Sequence, residues 1–176
     1  MLKRNPTRYS PSMRSEHIRF LLLEQGIGAA IFNFFLNGLI AWVMFRGLET
    51  VPLWGRQGIA GDTIGTCFFL PFFTALIVTA LVRRRVRAGG VAPLGWTRES
   101  HPPLGWLPVG TGRRGLVLGT ICAILIGPVT LWLLVHAGVV ELPFWTFVGF
   151  KASFSAVLAF IVTPIIALWA ITSPAS

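Results

Sequence analysis

The stretch Ala80-Leu81-Val82-Arg83-Arg84-Arg85-Val86-Arg87 decides the fold. An apolar run beginning near Ile59 stops there in four arginines within five residues. The basic segment closes at Arg113-Arg114, and a further apolar run extends from Gly115 to Ala137. Lysine and arginine gathered just outside a long apolar run mark the cytoplasmic flank of a transmembrane helix. Residues 83–114 therefore read as an arginine-rich cytoplasmic loop with membrane spans on either side.

Composition agrees. The chain is 54% hydrophobic and 12% charged, with 7 Trp and 14 Phe; soluble domains carry about 25% charged residues to keep their surface wet. The net charge of +9 does not signal nucleic-acid binding, because the basic residues flank apolar runs and form no separate basic domain. Cys67 and Cys122 sit in different apolar runs, with no C-x-x-C pair and so no disulfide framework or redox motif.

Upstream, Lys3, Arg4, Arg8, Arg14 and Arg19 face the single acid Glu16 in a basic tail over residues 1–19. The apolar stretch after it runs from about Gly26 to Phe45, beyond the roughly 7 to 15 residues of a signal-peptide core. About 20 residues cross a bilayer core of about 30 Å, so this is a retained span. A fourth run, from Phe144 or Phe147 to Ile171, contains Pro164. Gly127-Pro128 in the third run predicts a kink.

The expected fold is an all-α integral membrane protein of four transmembrane helices. Hairpin 1 covers residues 20–82 and hairpin 2 residues 115–172, with a C-terminal tail over 173–176. Twelve of the fifteen Lys and Arg fall in the tail and the middle loop, leaving Arg46, Arg56 and Lys151 elsewhere. Both termini are then expected in the cytoplasm of a bacterial inner membrane. Trp42, Trp54, Trp132 and Trp145 would form the outer aromatic belt, and Trp96 and Trp106, in two P-L-G-W copies, would lie at the inner interface.

The two outer connections share a pattern. Gly47, Pro52, Trp54 and Gly58 align with Gly138, Pro143, Trp145 and Gly149 as G-x4-P-x-W-x3-G, at an offset of 91 residues. A parallel two-helix repeat about an axis along the membrane normal would produce this. Convergence on residues that suit turns and interfaces would as well.

Function in such a chain is sought at polar groups within the spans, where lipid makes them costly. Asn33 and Asn37 lie four apart on one helix face, with Ala29, Ala30 and Ala41; interhelical hydrogen bonding across a close-packed interface is the simpler reading, and a solute or ion site in the bundle core the sharper one. Asp62 stands at the start of the second helix, near Thr63 and Thr66, and Lys151 lies about two turns into the fourth. An Asp62–Lys151 ion pair is weighed against helix capping by Asp62 and snorkelling by Lys151. Asn33, Asn37, Asp62, Thr66 and Lys151 are the expected substrate or ion path. Arg83, Arg84, Arg85, Arg87, Arg113 and Arg114 are expected to meet lipid headgroups.

No nucleotide, hydrolase or metalloprotease motif occurs, and His17, His101 and His136 give no ligand pair, so no catalytic residue, metal or cofactor is assigned. Three functions follow. The first is a small transporter or channel for a small solute or ion, working as a homo-oligomer because four helices enclose little cavity. The alternative is an accessory or assembly subunit docking other membrane subunits through Phe- and Trp-rich faces. The third is a membrane-embedded lipid-modifying enzyme, disfavoured by the missing acid/base pair.

Overall fold

A computed structural model describes residues 15–94 and 110–172. Its elements are α1 (Ser15–Phe45), β1 (Thr50–Pro52), α2 (Ile59–Arg87), α3 (Thr111–His136), β2 (Glu141–Pro143) and α4 (Phe144–Thr172). Within α1 the segment Phe20–Ile27 is π-helical. All four helices are long and apolar enough to cross a membrane: the shortest, at 26 residues, measures roughly 39 Å at 1.5 Å per residue.

The helices overrun the expected boundaries. α1 starts at Ser15, α2 continues to Arg87 and α3 begins at Thr111, so the arginines flanking residues 83–114 stand on helix ends instead of in a loop. Arginine is a good helix former, and cations at a helix C-terminus meet its negative dipole end. That favours the extension of α2 through Arg84, Arg85 and Arg87. Trp96, Trp106 and Arg98 lie outside the described residues.

The packing order is α1–α4–α2–α3: α1 lies along α4, α4 along α2, and α2 along α3. The expected pairing of consecutive helices into two hairpins is corrected by this, since α1 does not pack along α2, nor α3 along α4. Small residues decide which faces meet. Gly115 and Gly119 bring α3 onto α2, where a Cβ at Gly119 would stand 2.6 Å from the Phe68 carbonyl oxygen. On the other flank Gly26 meets the Phe160 ring and Gly38 meets Ala152, seating α1 on α4.

At one end the two connections pair as an antiparallel ribbon, Thr50 opposite Pro143, Val51 opposite Leu142 and Pro52 opposite Glu141. Two flanking bonds extend it: Leu53 N–H donates to Val140 O at 2.8 Å, and Phe144 N–H to Glu49 O at 2.9 Å. The α3 end leads in through Gly138 at φ 73°, with Gly138 and Val139 N–H groups capping Val135 and Leu134 carbonyls. Val51 and Leu53 bury under the ribbon with Phe45, Ile59 and Phe147. At the opposite, arginine-bearing end Phe20, Val82, Leu94 and Ile171 form a second plug.

Candidate functional site

The packing order leaves a furrow between α1 and α2, with α4 as its floor. Asn33 and Asn37 face into it because they share the buried stripe of α1 with Ala41, while Phe35 and Leu39 point outward. In α2, Asp62 in the first turn and Thr66 one turn later present to the same side. Lys151 rises from α4, 4% exposed. These five side chains from three helices line a recess of about 380 Å³.

The polar groups form two networks. Lys151 Nζ donates to both Asp62 carboxylate oxygens and to Thr66 Oγ1, each at 2.5 Å. Thr66 Oγ1 in turn donates to the Asp62 carbonyl at 2.7 Å. An ammonium has three protons, so three acceptors meet its full capacity. On the α1 wall Asn33 Nδ2 donates to Ala29 O at 2.9 Å, and Asn37 Nδ2 to Asn33 O at 3.2 Å and Oδ1 at 3.3 Å. The rest of the wall is apolar, with Phe69, Phe73, Ile40 and Met44 around the mouth.

Desolvating two charges costs several kcal/mol per ion, and mutual attraction repays this only with good geometry and satisfied protons. The bidentate contact and the threonine supply both. Capping by Asp62 does not describe the arrangement, because its carboxylate is turned to Lys151; nor does snorkelling, because the ammonium is buried.

Other polar groups lie outside the recess. Glu24 pairs with Arg85 at the arginine end with both side chains more than half exposed, a setting where such pairs contribute about 0–1 kcal/mol. Arg85 also sits 5.7 Å from the Phe20 ring centroid. Arg84, Arg87 and Arg113 are exposed, and Arg83 and Arg114 half-buried. Of the outer-turn residues, Pro52 and Pro143 end their strands and Trp54 and Trp145 are exposed. Gly58 is needed sterically, since a Cβ there would lie 2.8 Å from the Trp54 carbonyl carbon, whereas nothing crowds its counterpart Gly149.

Sequence reasoning passed over Ser155 and named Thr63 only as a neighbour of Asp62. Both hydroxyls are fully buried without a hydrogen-bond partner, in α4 and α2. Ser155 stands one helical turn from Lys151, and that i,i+4 spacing was the available signal.

The chain matches no protein-family model, no curated protein and no solved structure. The reading of function therefore rests on the recess.

Proposed function

We propose that this chain is a small membrane transport protein, moving a small solute or ion through the recess between α1 and α2 as a homo-oligomer. The observation that carries the reading is the convergence of Asn33, Asn37, Asp62, Thr66 and Lys151 on one recess inside predominantly apolar spans. Intramembrane ionisable residues are expensive and mark substrate or ion pathways. A recess of this size falls within the roughly 300–1,000 Å³ of small-molecule sites. Homo-oligomerisation is favoured by the thin α1–α4–α2–α3 arrangement, which leaves the recess open at its side.

The orientation that fits places both termini and the arginine end in the cytoplasm of a bacterial inner membrane, with the ribbon outside. Internal duplication also fits. At the offset of 91, Val51 corresponds to Leu142, its partner in the ribbon. The bond from Leu53 to Val140 likewise corresponds to the bond from Phe144 to Glu49. A pseudo-two-fold axis through the Val51–Leu142 pair would relate α1 to α3 and α2 to α4, so the α1–α4 contact becomes the α3–α2 contact.

The test is solute flux in liposomes holding the purified protein. Asn37→Leu fills the recess without removing a charge, and is expected to stop flux while leaving the melting temperature within a few degrees. Wild-type flux through a stable Asn37→Leu protein would overturn the reading.

An accessory-subunit role has one observation of its own. The outward face of α1 carries a second hollow of about 460 Å³ over Gly28, between Ile31, Phe35 and Leu39, a shape suited to a neighbouring helix. Native mass spectrometry from the source membrane separates the two readings: a stoichiometric partner subunit favours the accessory role, and homo-oligomers alone favour transport.

A further inference from the structure

We propose that the recess takes an organic monoanion together with one proton, the anion on Lys151 and the proton on Asp62. This rests on the transport reading above and adds the substrate class and the coupling.

The argument is charge balance. With Asp62 and Lys151 paired at 2.5 Å, the recess carries no net charge. An anion entering alone would compete with Asp62 for the ammonium and leave a carboxylate in a low-dielectric site with no counterion, the outcome that makes half-broken buried pairs so costly. A proton on Asp62 removes that charge and keeps the loaded recess neutral.

The two partners are not equivalent. Lys151 Nζ also holds Thr66 Oγ1, so it keeps a protein acceptor when the carboxylate leaves. The Asp62 carboxylate accepts from Lys151 alone among the described residues. Asp62 is therefore the group that must neutralise.

The other groups packed around the pair do not supply the missing charge. α1 presents only the carboxamides of Asn33 and Asn37; α2 and α3 add the buried thiols Cys67 and Cys122. Arg46, Glu49, Arg56 and Glu141 are exposed on the connections at the ribbon end. The mouth sets the remainder of the ligand: Phe32, Phe69, Phe73, Leu36, Ile40 and Met44 surround it, so the anion carries an apolar body.

The probe is benzenesulfonate, which stays ionised and so does not cross bilayers as a neutral acid. Liposomes holding the full chain and a trapped pH dye receive an inward benzenesulfonate gradient. The expected result is internal acidification that quickens as external pH is lowered and is unchanged when a potassium–valinomycin clamp sets the membrane potential. Asp62→Asn is expected to exchange labelled benzenesulfonate without moving protons. Lys151→Met should slow both by about thirtyfold or more, as loss of one member of a buried charge pair does. The double variant Asp62→Asn with Lys151→Met, holding a neutral pair, should melt near wild type yet carry nothing, which separates loss of transport from loss of fold.

Benzenesulfonate uptake without protons, or with a dependence on membrane potential, overturns the coupling. Passage of tetramethylammonium or glycerol, blocked by Asn37→Leu, with no passage of benzenesulfonate overturns the anion assignment and leaves the transport reading standing. No flux of any of the three probes overturns both.

Discussion

At the scale of single residues, the Asp62–Lys151 pair controls the energetics of the recess. Breaking a buried pair by removing one partner costs about 3–5 kcal/mol, while removing both is often near neutral. Asp62→Asn and Lys151→Met are thus each expected to lower the melting temperature strongly, and the double variant to recover most of the loss. Exchanging the charges, Asp62→Lys with Lys151→Asp, should recover part, limited by the shorter reach of Asp from α4. Thermal unfolding in detergent across the four proteins of the cycle measures this. Additive losses in the double variant would show that the two side chains do not act as a pair. The candidacy of these residues was legible in the sequence, because charge within an apolar run is conspicuous. Their pairing was one of the readings the sequence offered but was not decided there, since it depends on α4 packing along α2.

At the scale of elements, two features hold the helices in place: the ribbon and the glycine seam. Val51 is 0% exposed, whereas its partner Leu142 is half-buried. An unpaired charge in an apolar site is heavily penalised, so Val51→Asp is expected to destabilise far more than Leu142→Asp, despite their opposed places in the ribbon. Melting temperatures of the two variants decide this, and equal losses would mean that the burial beneath β1 is not the stabilising feature. In the seam, Gly119→Ala places a Cβ 2.6 Å from a backbone oxygen. Backbone yields little, so α3 must move away from α2, at about 1–3 kcal/mol for overpacking; Gly149→Ala, with nothing within 4 Å, is expected to leave stability unchanged or slightly raised. The turns were readable from Gly, Pro and Trp. The strands were not, because three residues each in Thr50–Pro52 and Glu141–Pro143 carry no alternation, and their pairing exists only once the helices bring the ends together.

At the scale of the whole molecule, four spans were plain from apolar length alone, but their order in the membrane plane was hidden. In lipid no hydrophobic force selects one helix pair over another; close packing of small residues and hydrogen bonds do so instead. Those local complementarities, Gly119 on Phe68 and Gly26 on Phe160, join each helix to one from the other half of the chain. This has a measurable consequence. If the halves were two self-contained hairpins, each would fold alone. With α1 seated on α4 and α3 on α2, each half has its main helix contacts in the other. A chain divided between residues 100 and 101 is therefore expected to reassemble when both halves are made together: a tag on the first half should bring down the second in mild detergent, with a melting transition close to that of the intact protein. Either half made alone should be degraded or aggregate. A first half that survives alone as a stable, helical, monodisperse species would contradict the interlocked order, because α1 and α2 would then have to pack directly and close the furrow that Lys151 now floors.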